Sequence, residues 1–223
     1  SGVTISGNTL TNCSQYGITL GGYSASNDAS GIISNNTITS GYSSIDLCDY
    51  IGTLSVTGNT ITNPYSYGIK VEGTSNDSIT IKNNTVTGSA GSYAVRIDSE
   101  DTSGAVTIQY NDLYNTNTEG YAISAGASPS GGNDCKYNYF GNATGPYYSA
   151  LTGATVTKSN PNGTGDKITD KVIYYPWLHK SKADVVADNA SYQASTMKLV
   201  AGWNTLSTPV KLISAADAID ELI

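Results

Sequence analysis

The stretch Leu54 to Val71, LSVTGNTITNPYSYGIKV, recurs in variant form along most of the chain, and no other feature restricts the fold as strongly. It holds three short runs, Leu54-Ser55-Val56, Thr60-Ile61-Thr62 and Gly68-Ile69-Lys70-Val71, in which apolar residues alternate with small or polar ones. A period of two predicts strands with one buried face. Asn59 and the Asn63-Pro64 pair sit at the corners. Asn tolerates left-handed backbone angles and Pro ends a strand, so the chain turns twice within each unit. A unit this short cannot bury its own apolar side chains and becomes stable only between near copies of itself.

Anchored on Asn59, the repeat places equivalent asparagines at Asn8, Asn36, Asn84, Asn111 and Asn138, which predicts about six coils. Three residues before the anchor stand Ile5, Ile33, Val56, Ile81, Ile108 and Cys135; two residues after it stand Leu10, Ile38, Ile61, Val86, Leu113 and Phe140. The third run supplies the pairs Ile18/Leu20, Ile45/Leu47, Ile69/Val71, Val95/Ile97 and Ile123/Ala125. These columns predict an all-β parallel β-helix, each strand pairing with its counterpart one coil along at about 4.8 Å. The anchor asparagines then form a ladder in which each side-chain amide bonds the next coil. Tyr16, Tyr67, Tyr93 and Tyr121, interrupted by Ser43, form a second ladder. Both resemble the right-handed parallel β-helix families, among them pectate-lyase-like proteins and the maturation proteins of periplasmic copper enzymes, over residues 1 to 178.

From Tyr137 the pattern changes to YNYFGNATGPYYSALTGATVTKSNPNGTGDKITDKVIYYPWL. This resembles the closing segment of large secreted β-helix proteins, which implies a cap in which Phe140, Tyr147, Tyr148, Tyr174, Tyr175 and Trp177 cover the open end of the apolar column. Residues 179–196 read as a polar linker. Residues 197–223 read as the start of a second, incomplete β-rich domain, and the run Gly-Trp-Asn-Thr-Leu-Ser-Thr-Pro from Gly202 resembles the opening of small β domains in archaeal and bacterial surface proteins. The expectation is a fragment of a longer protein, beginning inside one coil and ending inside a helix.

Charged residues are only 13% of the 223, and 11 Lys and Arg against 18 Asp and Glu give a net charge of −7. That balance, with neither a basic patch nor a phosphate-cradling glycine loop, argues against nucleic acid or anionic lipid as partner. Three cysteines are an odd number. Cys135 occupies a core column and reads as a small hydrophobe, while Cys13 and Cys48 fall at opposite ends of a sheet, which disfavours a disulfide. Asn-x-Ser/Thr acceptor sites at Asn12, Asn35, Asn76, Asn83, Asn142, Asn162 and Asn189 suggest a secreted glycoprotein at the cell surface. No span of about 20 apolar residues crosses a membrane.

Chemistry is sparse. Outward positions of the third strand give the column Thr19, Asp46, Lys70, Arg96 and Ser124, with Glu72 and Asp98 two residues on. Were the chain an enzyme, Asp46, Lys70, Glu72, Arg96 and Asp98 are the residues that would carry lyase or glycosidase chemistry, because such reactions need a base or two carboxylates about 5 to 10 Å apart. The same residues, Asp46 above Lys70 and Glu72 diagonal to Arg96, read better as a charge ladder between strands. The connections after the third strand stack along one edge and collect Asp28, Asp49, Asp77, Asp98, Glu100 and Asp101. Calcium at Asp98, Glu100 and Asp101 is the one candidate cofactor. His179, the chain's single histidine, reads as an exposed linker residue. Four pairs, Thr9/Thr11, Thr37/Thr39, Thr60/Thr62 and Thr85/Thr87, resemble the face of ice-binding β-solenoids. The sequence therefore points to a non-catalytic structural or adhesive module of a large extracellular surface protein, an S-layer or filament subunit. Its expected partners are copies of itself or other surface proteins, with carbohydrate as a further candidate. A polysaccharide-binding or polysaccharide-degrading β-helix is the alternative, and ice binding the second.

Overall fold

A computed structural model describes residues 2–22, 29–49, 51–72, 78–88, 93–98, 105–114, 120–126, 132–149 and 158–185. The first coil is β1 (Val3–Ser6), β2 (Thr9–Thr11) and β3 (Tyr16–Gly22); the second is β4 (Ala29–Ser34), β5 (Thr37–Thr39) and β6 (Ser43–Asp49). The third is β7 (Ile51–Thr57), β8 (Thr60–Thr62) and β9 (Tyr67–Val71); the fourth is β10 (Ser78–Lys82), β11 (Thr85–Thr87) and β12 (Tyr93–Ile97). The fifth is β13 (Ala105–Gln109), β14 (Asp112–Tyr114) and β15 (Tyr121–Ala125). Stacking joins them into three parallel sheets: sheet A runs β1-β4-β7-β10-β13, sheet B runs β2-β5-β8-β11-β14 and sheet C runs β3-β6-β9-β12-β15. Five coils are thus complete rather than six. The sixth opens with β16 (Asn133–Asp134) on sheet A and a bridge from Tyr139 to Asp112 on sheet B, and then gives way to the cap.

Register follows the sequence columns: Ile5 pairs with Ile33 and Ile33 with Val56, Val56 with Ile81, and Ile81 with Ile108. From the second coil onward these side chains are fully buried, as are Ile38, Ile61, Val86, Leu113 and Phe140 in the next column. In the first coil Ile5, Leu10 and Leu20 are only partly covered, because no coil lies beyond them among the described residues.

The asparagine ladder is continuous. Each Nδ2 from Asn8 to Asn111 donates to the Oδ1 of the next anchor at 2.9–3.0 Å. That same Oδ1 also accepts the preceding anchor's backbone N–H at 2.8–3.0 Å. Further Nδ2 bonds run to the carbonyls of Ile5, Ile33, Val56, Ile81 and Ile108 in the coil behind. Five buried amides are satisfied together, which removes the desolvation cost that a lone buried amide would carry. The residue before each anchor takes a positive φ: Gly7, Asn35, Gly58, Asn83, Tyr110 and Tyr137. At Gly58 the positive φ suits glycine, and a Cβ there would sit 2.5 Å from Asn35 Oδ1, so a larger residue would have to displace that exposed side chain. Tyrosine is disfavoured at such angles, yet the Tyr110 and Tyr137 rings stack at 5.3 Å and 6° on successive coils.

Beyond β16 the chain forms β17 (Pro146–Tyr147), β18 (Gly165–Ile168) and β19 (Val172–Ile173). β19 extends sheet A, while β18 pairs with β15 and β17 with β18 to extend sheet C. Phe140, Tyr148 and Tyr174 are buried over the end of the core, with Tyr174 edge-on to Phe140 and stacked on Trp177 at 5.8 Å. Burial pushes the Tyr174 phenol up to about 12, and it donates to Lys158 O at 2.6 Å. Tyr147 and Tyr175 depart from the expected cap and face solvent, 38% and 44% exposed. Inside the stretch read as linker, residues 182–185 begin a helix, with Ser181 and Asp184 bonded to each other through the hydroxyl. Its Lys182 N–H reaches both oxygens of Asp112 at 3.1 and 3.2 Å. The second β-rich segment expected over 197–223 lies outside the described residues.

Candidate functional site

The outer face of sheet C gathers the chemistry-bearing side chains into two columns. Lys70 pairs in register with Asp46 on one side and Arg96 on the other, and Arg96 with Ser124. Beside them Ser43, Tyr67, Tyr93 and Tyr121 form the second column. Tyr67 and Tyr93 stack at 5.5 Å and 9°, and Tyr93 and Tyr121 at 5.7 Å and 18°. Parallel pairing brings identical residues of successive coils together, and the stack is its consequence. Lys70 Nζ lies 5.0 Å from the Tyr67 ring centre and the Arg96 guanidinium 5.0 Å from that of Tyr93, close enough for cation–π attraction.

The carboxylates divide differently from the expected diagonal between Glu72 and Arg96. Arg96 Nε donates to Asp98 Oδ1 at 2.6 Å and its Nη1 to Ser124 Oγ at 2.8 Å. Lys70 holds Glu72 directly and lies 3.4 Å from the other oxygen of Asp98. Asp98, the residue that follows β12, therefore bridges Arg96 of its own coil and Lys70 of the preceding one. Asp46 is 5% exposed and lies within this face. Burial raises the Tyr67 phenol, with smaller contributions from Tyr42 and Asp98, so it remains a neutral donor. Glu72 and Asp98 do come together, but around Lys70, and a carboxylate already held by a cation is a poor proton acceptor.

On sheet B the four threonine pairs are in register from Thr9 and Thr11 through Thr85 and Thr87, and the rank ends at Asp112 and Tyr114. The acceptor residues Asn12, Asn35, Asn83 and Asn162 are exposed and Asn142 is partly so; Asn76 and Asn189 lie outside the described residues. Asn35 and Asn83 are also corner residues with positive φ, so the repeat itself generates their motif. Of the calcium candidates, Asp98 is engaged as above, and Glu100 and Asp101 lie outside the described residues. Among the described residues no three His, Cys, Asp or Glu side chains converge on one point. His179 is half-buried against Trp177, ring centres 6.0 Å apart, rather than exposed. Cys13, Cys48 and Cys135 form no disulfide with one another, and burial pushes the thiol of Cys135 well above its ordinary range.

Two features carry no signal in the repeat. A cavity of about 520 Å³ opens where sheet C meets the cap, between Tyr121, Tyr147, Tyr148, Lys167, Asp170 and Lys171. Asp112 is 3% exposed, and burial raises its pKa against the opposing pull of the Lys182 amide and ammonium. Neither is periodic: they join segments that only the cap brings back.

A family model described as a right-handed beta helix region matches residues 1–189. No curated protein and no solved structure matches the chain. Among the described residues no helix is long and apolar enough to cross a membrane.

Proposed function

The chain belongs to the right-handed β-helix family, and on that premise we propose that it is a structural or adhesive module of a large extracellular surface protein, an S-layer or filament subunit. One observation carries the reading: the charges an enzyme would use are tied to one another, Asp98 to Lys70 and Arg96, and Glu72 to Lys70. Behind that face the apolar columns and the asparagine ladder run without a break, which suits a stiff, protease-resistant spacer. Exposed acceptor sites such as Asn12 and Asn162 are consistent with a glycoprotein outside the cell. Its partners are then further copies of itself or neighbouring surface proteins. Imaging the intact parent protein on its native cells tests this: a lattice or filament supports it, and a dispersed soluble monomer overturns it.

A polysaccharide-processing β-helix is the second reading, favoured by the tyrosine column beside Lys70 and Arg96. It requires activity on uronate or neutral polysaccharides that Asp98→Ala and Lys70→Ala abolish. The in-register threonine ranks favour ice binding in their turn, and measured thermal hysteresis is the corresponding requirement.

A further inference from the structure

We infer that Tyr42 and Tyr65 are an oxidative cross-linking site, at which a haem peroxidase acting with hydrogen peroxide joins the two phenols through a carbon–carbon bond and so staples the second coil to the third. The inference goes beyond the proposed function and does not depend on it. Tyr42 stands between β5 and β6, and Tyr65 at the corresponding corner between β8 and β9. Parallel stacking ties the two corners together: the Tyr65 N–H donates to Gly41 O at 2.7 Å, and the Ser66 and Tyr67 amides donate to Tyr42 O at 3.1 and 2.9 Å. The rings are therefore neighbours by register, with centres 6.2 Å apart. They are also open to solvent, 42% and 70% exposed.

Geometry separates this pair from the stacked tyrosines. The bond forms between ring carbons next to the hydroxyls, so the two rings must meet edge to edge. Tyr67 and Tyr93 lie face to face at 9°, and Tyr110 and Tyr137 at 6°, all four half-buried. Bringing two edges together there means turning a ring out of its stack. Tyr42 and Tyr65 are inclined at 33° with solvent around them, and the second side-chain torsion of tyrosine is broad, so their edges can swing together. Tyr42 also touches Tyr67 edge to face at 5.7 Å, which joins the exposed pair to the Tyr67–Tyr93 stack. A radical formed within the stack thus has a ring-to-ring route to the exposed pair.

Each phenol gives one electron to the oxidant and its hydroxyl proton to water. The two phenoxyl radicals couple at their ortho carbons, and the proton on each of those carbons then moves to the oxygen of its own ring, which restores both hydroxyls. The chain loses two hydrogen atoms in all, and one peroxide becomes two waters. Because the partners are held side by side, coupling within one chain outruns coupling between chains in dilute solution. The new bond closes a loop across two coils, which restricts the unfolded chain as a disulfide does.

The test treats the dilute full chain, its accessible thiols alkylated, with peroxidase and limiting hydrogen peroxide, and follows intact mass, dityrosine fluorescence and peptide mass mapping. A monomer lighter by two hydrogen atoms is expected, with one cross-linked peptide carrying Tyr42 and Tyr65. Tyr42→Phe and Tyr65→Phe, which keep the rings, should each abolish that product, whereas Tyr110→Phe should leave its yield unchanged. The coupled chain should also unfold at higher urea than the untreated one, and treated Tyr65→Phe should not. The inference is overturned by another tyrosine pair as the main product, by coupling only between chains, by undiminished product in Tyr65→Phe, or by an unshifted urea midpoint.

Discussion

Replacing Asn84 by alanine probes the ladder at its centre. The side chain is fully buried and donates to Val56 O, Lys82 O and Asn111 Oδ1 at 2.9, 3.0 and 3.0 Å, while its Oδ1 accepts Asn59 N and Nδ2, both at 2.9 Å. Not all partners are orphaned by the change. Lys82 O keeps Gly58 N, Asn111 Oδ1 keeps Asn84 N, and Asn59 Nδ2 keeps Ile33 O. Asn59 N, however, is left facing a methyl group. One buried unsatisfied donor at about 1–3 kcal/mol, with several lost bonds each worth about 0.5–1.5, gives a destabilisation of roughly 3–6 kcal/mol. That is a large share of the roughly 5–15 kcal/mol that holds a typical domain together. Asn8→Ala is the matched control: Asn8 is exposed, and Asn36 Oδ1 keeps its bond to Asn8 N, so a loss below about 1 kcal/mol is expected. Urea unfolding followed by circular dichroism, extrapolated to water, measures both. Equal losses for the two variants would refute the claim that the ladder's strength comes from its burial.

Ile69→Asp places a charge without a partner in a fully buried column and should unfold the rod, whereas Lys70→Ala removes surface pairings with Glu72 and Asp98, each worth about 0–1 kcal/mol, and the contact with the Tyr67 ring; equal melting temperatures would sink the inward and outward assignment. Burial raises the pKa of Asp112 above its ordinary 3.8, so the folded state holds that proton more tightly than the unfolded chain does. Its contribution is complete below 3.8 and is lost as pH rises through the folded value. The parent should therefore lose stability relative to Asp112→Asn over that window, and a flat or reversed difference in denaturation curves would contradict the sign. Since Asp98 is already held by Lys70 and Arg96, EDTA is expected to leave the melting temperature unchanged. A fall that Asp98→Asn removes would reassign Asp98 as a calcium ligand.

Everything periodic in this protein was legible from residue order. In a parallel solenoid each residue meets its counterpart one coil away, so aligning the repeats also aligns the contacts. The Asn36–Asn59–Asn84 ladder, the Ile33–Val56–Ile81 column and the Tyr67–Tyr93 stack all follow from that rule. Long flexible side chains escape it. Register sets Lys70 beside Arg96, but only the three-dimensional reach of Asp98 decides that one carboxylate serves both cations. Where the repeat stops, the rule stops too. Tyr121 meets Lys167, and Asp112 meets the amide of Lys182, because the cap folds back across the end of the rod. Those pairings have no fixed offset in sequence. They depend on the path that the chain takes to cover the end of the apolar column, and so the tertiary structure alone decided where the cavity lies and which side chains line it.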